Sequence, residues 1–426
     1  MNRARVLVPL LAVAALALEF PWRFESHIDL EVYRLGAQAW WHGQDLYGPL
    51  PPTSIGMRLP FIYPPFAVLA LGPLAMLPWG VAVIVLFAAN LLCVGGTLFL
   101  VTRRVWPAGG GRGAFVVAAA AMPVAMALEP LRETFAFGQV NLLLMGLVAA
   151  DCLTTRPRWP RGLGVGLAAA IKLTPLAFVL FFLVRKDYRA SVTATVTAVA
   201  ASALGFLIDP GTSARYFFGG LAGAGGLSGS PYRTNQGIDA VLVRLGLPAG
   251  TAKFWWLALA VVLLGLAVCA MRRSEPAIAL AVNAGFALLV SPISWSHHWV
   301  WVAPAVLAMA LHGFRRVRER ASTAAGWWVT AAVTGTLCIV APFRYVPYGD
   351  KPGLVWTTVQ QIPGNAYALL GTILLAGYGT ASAVRLGRST GSKPRAETRT
   401  TSRPQSPSTA LPVGDGVTAR IDLGPQ

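Results

Sequence analysis

Again and again this chain runs for roughly 15–20 residues without one charged side chain, as in Ser191–Ile208 and Phe254–Ala270. In lipid such a segment can satisfy its own backbone only as a helix or in a closed barrel. The apolar residues here are continuous rather than alternating, which argues against a barrel. The chain therefore reads as an all-α polytopic membrane protein. Composition agrees: 55% of the residues are hydrophobic and 12% charged, about half the charge of a soluble domain, and the mean hydropathy is +0.58.

Candidate spans are Val6–Phe20, part or all of Phe61–Val101, Ala114–Leu128, Val140–Leu153, Ser191–Ile208, Phe254–Ala270, Ala277–Val290, Trp299–Leu311, Trp327–Val340 and Tyr367–Val384. Two regions can be parsed in two ways. Phe61–Val101 is broken at Pro78-Trp79-Gly80, and Gly162–Val184 at Lys172-Leu173-Thr174-Pro175. Either Gly162–Val184 enters the membrane and returns while Phe61–Val101 crosses once, or the first crosses once and the second twice. The count is about 10–12 transmembrane helices. Broken backbone at membrane depth is tolerated only where it lines protein or a wet cavity, so both breaks point toward a site.

The net charge of +18 is carried largely by short cationic blocks such as Arg103/Arg104/Arg112, Arg185/Lys186/Arg189 and Arg315/Arg316/Arg318/Arg320. Positive-inside bias explains that placement better than nucleic acid does, and it puts both termini in the cytoplasm. Val6–Phe20 lacks a small-residue cleavage site and reads as an uncleaved first span. Cys93, Cys152, Cys269 and Cys338 are scattered and imply neither a metal site nor a disulfide framework. Residues 1–384 form the membrane domain. Residues 385–426 are Ser-, Thr-, Pro- and Arg-rich, and are expected to be a disordered cytoplasmic tail.

Three outer segments are long enough to build a site: Pro21–Pro60, Asp209–Lys253 and Arg344–Asn365. In the first, Leu30, Tyr33, Ala37, Trp40 and Trp41 share one helical face, with Glu31, Arg34, Gln38 and His42 on the other. This predicts an amphipathic helix on the outer membrane surface. Asp29 falls at or just before its start. There a carboxylate can cap the helix, or serve as a base kept ionised by the helix N-terminus. On an extended strand His27, Asp29 and Glu31 would instead share a face, as metal ligands do, but no further ligand cluster accompanies them.

Lys172 lies inside an apolar stretch, where a cation either meets an anion or snorkels. His297 and His298 follow Ser294-Trp295-Ser296, and only one of two adjacent helical histidines can face a given pocket. Trp295, Trp299 and Trp301 alone would make an interfacial belt. Gln139 and Asn141 put two amides at a helix start, and Asn235 and Gln236 put two more in the second loop; amides bind sugar hydroxyls and also cap helices. No phosphate-cradling glycine motif is present, so a sugar donor would be lipid-borne.

Taken in order, several segments resemble glycosyltransferase family 87, the polyprenol-phosphate-mannose-dependent α-1,2-mannosyltransferases of actinobacteria. They are Asp29-Leu30-x-Val32-Tyr33, Tyr63-Pro64-Pro65-Phe66, Gly138-Gln139-x-Asn141, Lys172-x-x-Pro175, Asn235-Gln236 and Ser291-Pro292-x-Ser294-Trp295-x-His297-His298. The resemblance runs from about Val6 to Val384. It implies a GT-C glycosyltransferase fold working at the outer face of the plasma membrane, with a polyprenyl-phosphate mannose donor and a phosphatidylinositol mannoside, lipomannan or lipoarabinomannan acceptor. It assigns the catalytic base to Asp29 and a site role to His297 or His298. Substrate contacts are expected from Glu31, Tyr33, Arg34, Gln139, Asn141, Lys172, Asn235 and Gln236. Related enzymes often carry Asp-x-Asp where this chain has Asp29-Leu30-Glu31. No cofactor is expected. The competing classes are a transporter or lipid flippase, and a GT-C enzyme moving another polyprenyl-phosphate sugar such as arabinofuranose.

Overall fold

Proline and glycine set where the helices of this chain start and stop. The computed structural model describes residues 26–219, 230–347 and 356–391. The first apolar span Val6–Phe20, the Gly-rich run 220–229 and the tail beyond 391 lie outside them. Every regular element among the described residues is helical, and a single β-bridge joins Asn235 to Trp295.

The first described helix, α1 (Ile28–Trp41), is followed by a loop and two short helices, α2 (Pro65–Leu71) and α3 (Pro73–Met76). A proline stands at the first position of each short helix, where its missing N–H costs nothing. After Pro78 comes α4 (Trp79–Val105), with Arg103 and Arg104 in its last turn. Phe61–Val101 therefore contains one long helix and two short pieces. Next come α5 (Gly110–Ala127), α6 (Glu129–Phe137) and α7 (Asn141–Leu153). α6 and α7 meet at a 120° bend.

The region 162–184 is broken as its sequence suggests. α8 (Leu163–Ile171) stops at Lys172, whose backbone is extended, and a 3-10 turn (Thr174–Phe178) leads into α9 (Val179–Val184). The remainder is α10 (Tyr188–Ile208), α11 (Pro210–Phe218), α12 (Ile238–Arg244), α13 (Ala249–Arg273), α14 (Pro276–Val290), α15 (Val302–Arg318), α16 (Ala324–Val340), α17 (Thr358–Gly364) and α18 (Ala366–Gly391). A 3-10 segment, Ser296–Trp301, carries the two histidines into α15.

Six described helices are long and apolar enough to cross a membrane, or seven if the bent α6–α7 pair is one span. The protein is thus a multi-pass membrane protein. The larger number expected from sequence includes Val6–Phe20, which is not described, and segments such as α14 that are apolar but short.

α1 is tucked against α2, α3 and α6 rather than lying free on a surface. Leu30, Val32, Tyr33, Gly36 and Ala37 are buried, while Trp41 is exposed. Arg34 donates to the carbonyls of Leu74 and Leu77, which the end of α3 leaves without helical partners. At the C-terminal end of α1, Trp40 Nε1 donates to Asp209 Oδ2 at 2.9 Å. Asp209 also caps α11 by accepting from the Thr212 N–H. The helix carrying the expected base is therefore fastened at its middle and at its C-terminal end.

Candidate active site

The bend between α6 and α7 delivers two amides to the start of α1. Gly138 ends α6 in the left-handed region, at φ 66°, and a Cβ there would stand 2.9 Å from Leu30 Cβ and 3.3 Å from His27 Cβ. Only glycine permits both that conformation and that approach. Gln139 and Asn141 follow at once, both buried.

Asp29 is the second residue of α1. The residue at the N-cap position is His27, and neither side chain makes a capping bond, so the capping role foreseen for Asp29 is not realised. The helical backbone also turns His27, Asp29 and Glu31 by about 200° per two residues, which separates them as prospective metal ligands. Among the described residues no three His, Cys, Asp or Glu side chains converge as a metal site would require.

Asp29 keeps part of its surface accessible. Enclosure by protein pushes its carboxyl up to about 6, against the opposing pull of a hydrogen bond from Gln139 and the charge of Lys172. Desolvation thus outweighs both. A carboxyl in this range is ionised at neutral pH and basic enough to take a proton.

A chain of single protons fixes Gln139. Tyr33 OH donates to Gln139 Oε1 at 2.9 Å. With its one proton so used, Tyr33 must accept from Tyr63 OH, 3.1 Å away. Gln139 Nε2 donates to Tyr63 OH at 3.3 Å, and the same amide bonds Asp29. Behind it, Asn90 Nδ2 holds the Gln139 carbonyl at 2.9 Å.

Lys172 approaches from the break after α8. Its Nζ donates to Asn141 Oδ1 at 3.0 Å and lies 3.1 Å from His298 Nε2 and 5.6 Å from the Tyr63 ring centroid. A protonated lysine only donates, so His298 Nε2 accepts and Nδ1 carries the proton, bonded to the Ile293 carbonyl. Asn141 Nδ2 donates to the His297 carbonyl at 3.0 Å, which ties α7 to the histidine segment. His297 packs edge-on to Phe137 and to His298, with centroids 5.3 and 4.8 Å apart, and its buried Nε2 has no hydrogen-bond partner among the described residues. The two rings touch even though a 3-10 segment turns successive residues by about 120°.

The fold therefore gathers Asp29, Tyr33, Gln139, Asn141, Lys172, His297 and His298 into one cluster. The other four candidates lie elsewhere. Glu31 binds the N–H and hydroxyl of Ser54, and Arg34 binds the end of α3. Asn235 accepts from the Ser294 N–H and donates to the Ser230 carbonyl. Gln236 ties Arg233, Gly364 and Tyr367 together. These last two amides are wholly buried and brace loops. The tryptophans also turn inward rather than forming a belt: Trp299 packs on Tyr367, Trp301 on Phe178 and Trp295 near Tyr232.

Two participants escape a reading of the sequence as single residues. Tyr63 completes the Gln139 network, and its only signal is the Tyr63-Pro64-Pro65 turn. Glu129 has a stronger signal, an acid at the end of an apolar run. It is fully buried, accepts from Ser296 Oγ at 2.7 Å and Tyr367 OH at 2.9 Å, and lies 3.6 Å from the Arg344 guanidinium. It braces the histidine segment from behind.

A partly accessible carboxylate and a lysine joined in one polar cluster, inside a multi-pass helical protein, have the chemical make-up of a membrane-embedded group-transfer site. The family model for glycosyltransferase family 87 matches residues 61–292. A polyprenol-phosphate-mannose-dependent alpha-(1-2)-phosphatidylinositol mannoside mannosyltransferase of Mycolicibacterium smegmatis is 35% identical, covering 85% of this chain and 86% of its own. Its namesake from Mycobacterium tuberculosis is 36% identical over 86% and 89%. An alpha-(1->3)-arabinofuranosyltransferase of Corynebacterium glutamicum is 25% identical over 64% and 72%. Among solved structures, ArnT from Cupriavidus metallidurans bound to undecaprenyl phosphate aligns at a TM-score of 0.40 and 18% identity, covering 91% of this chain and 80% of its own. On the family model and these sequence identities, the chain belongs to glycosyltransferase family 87.

Proposed function

We propose that this enzyme transfers mannose from polyprenyl-phosphate mannose to a phosphatidylinositol mannoside, lipomannan or lipoarabinomannan type of acceptor. The linkage formed is α-1,2, with inversion, on a GT-C fold at the outer face of the plasma membrane. The observation that carries the reading is the cluster in which Asp29 and Lys172 face one another through Gln139, Tyr63 and Asn141.

Asp29 takes the proton of the attacking acceptor hydroxyl as its oxygen bonds the anomeric carbon. The bond from that carbon to the phosphate oxygen breaks, and the lipid monophosphate departs as an anion. Two of the Lys172 protons are spoken for by Asn141 and His298, which leaves a third for the departing phosphate. His298 orients Lys172, and the unpaired Nε2 of His297 is suited to a phosphate oxygen. A monophosphate needs less charge compensation than a diphosphate, so the mechanism calls for no divalent metal and chelation should leave turnover unchanged.

Mannose is favoured over arabinofuranose because the mannosyltransferase relatives are more similar over more of the chain. A flippase would not need Asp29 as a base. The test is purified protein in nanodiscs with radiolabelled polyprenyl-phosphate mannose and phosphatidylinositol mannosides. Wild type is expected to form a product cleaved by an α-1,2-specific mannosidase, and Asp29→Asn to form none. Wild-type turnover by Asp29→Asn removes the base assignment, and absence of any mannosyl product from the wild type removes the reading.

A further inference from the structure

Tyr33 is only 1% exposed, which leaves a substrate no surface of it to touch, yet its hydroxyl is fully engaged. Its bonds close a ring. Tyr33 OH donates to Gln139 Oε1, Gln139 Nε2 donates to Tyr63 OH, and Tyr63 OH donates back to Tyr33. The N–H of Val140, just before α7, donates to the remaining lone pair of Tyr33. Each hydroxyl spends its one proton inside the ring. The amide has one proton left over, and that proton goes to Asp29.

The main chain of Gln139 is fixed without the ring. Its N–H donates to the Thr134 carbonyl at 2.9 Å, and its carbonyl accepts from Asn90 Nδ2 at 2.9 Å. What the ring decides is which end of the side-chain amide faces Asp29. Run in the opposite sense, with Tyr63 donating to the amide oxygen and the amide nitrogen donating to Tyr33, it would form the same number of bonds. The amide oxygen would then face the carboxylate, two acceptors with no proton between them.

We infer that Tyr33 is a positioning residue for the proton transfer: its hydroxyl proton, committed to Gln139 Oε1, holds the Gln139 amide with an N–H toward Asp29. The inference rests on the reading of Asp29 as the base. In Tyr33→Phe the amide oxygen loses its donor and Tyr63 loses its acceptor, and a turned amide satisfies both at once. Asp29 then meets an oxygen in place of an N–H. Tyr63→Phe differs, because Tyr33 still donates to Gln139 Oε1 and the aromatic ring beside Lys172 is kept.

A carboxylate that loses a donor takes up its proton at higher pH. Neither substitution alters a charge near Asp29. Lys172 faces it from the break after α8, with His298 beyond, and on α1 Glu31 is engaged by Ser54 and Arg34 by the end of α3. His27 packs beside Trp79. α2 and α3, which pack near α1, carry no titratable side chain, and Glu129 and Glu133 of α6 engage Ser296 and Arg344.

The experiment is the pH dependence of kcat/KM for polyprenyl-phosphate mannose in nanodiscs. Tyr33→Phe is expected to move the acidic limb up by about 1 pH unit, a loss of about tenfold on the acid side and a smaller loss on the plateau. Tyr63→Phe should move it much less. On a Gln139→Met background there is no amide to turn, so adding Tyr33→Phe should not move the limb further. A limb unmoved by Tyr33→Phe overturns the inference. So does an equal shift on the Gln139→Met background, the result expected if Tyr33 acts through packing alone. If the Gln139→Met protein does not fold, the two tyrosine variants decide, and equal shifts from them overturn it. In every case the wild type still transfers mannose and Asp29→Asn does not, so loss of this inference is distinguishable from loss of the functional reading.

Discussion

Asp29 sits where its own stability and its chemistry oppose each other. Its carboxyl is pushed up to about 6 by burial, above its usual value. Folding therefore favours the protonated form, and the ionised form costs stability at pH values above the folded pKa, a cost that fades as pH falls toward the unfolded value near 4. Asp29→Asn removes that cost. The variant should melt no lower than wild type at pH 7.5 while forming no product, measured by thermal unfolding in detergent beside the transfer assay. The acidic limb of the kcat/KM profile is expected near pH 6 rather than near 4. Lys172 holds the Asp29 pKa down, so Lys172→Met should move that limb to higher pH as well as slow turnover. A limb unmoved by this change would separate Lys172 from Asp29 electrostatically.

At the scale of elements, the site is an arrangement of helix ends. α1, α7, α8 and the 3-10 turn before α15 each bring a terminus to it, because termini are where side chains and backbone stop facing only their own helix. Gly138 makes the closest of these approaches. In Gly138→Ala the new methyl meets Leu30 and His27 in a backbone conformation that alanine resists. The expected cost is more than about 1 kcal/mol, with kcat falling at least as steeply as the melting temperature because Gln139 is carried away from Asp29. Gly80→Ala, which meets no atom within 4 Å, should change neither. Arg34 shows why an element-level view was needed. As a charge beside Asp29 in sequence it resembles a phosphate ligand, yet it is spent on carbonyls at the end of α3.

For the molecule as a whole, the reading requires α1 and the loop after it to lie outside, and the arginine-rich turn after α15 inside. Ile55 and Ser322 are exposed at those two places. In intact cells Ile55→Cys should react with a membrane-impermeant maleimide, and Ser322→Cys only after permeabilisation. The reverse pattern would put the carboxylate on the wrong side for a lipid-borne donor. Asn235 and Gln236 belong to this scale too. They knit the loop before α12 and the α17–α18 junction to the histidine loop, so Gln236→Ala should lower the melting temperature without a selective change in KM.

The sequence by itself determined the helical membrane class, the breaks at Lys172 and around Pro78, and a short list of polar residues that included the clustered ones. Those features are legible because lipid leaves the backbone few choices and because a charge in an apolar run is costly. Which residues on the list meet was decided only by tertiary structure. Asp29, Gln139, Lys172 and His298 come from four separate parts of the chain, and no local pattern states that they converge. Glu31, Arg34, Asn235 and Gln236 look equally polar in sequence, and their hydrogen bonds to other parts of the fold are what assign them to holding it together.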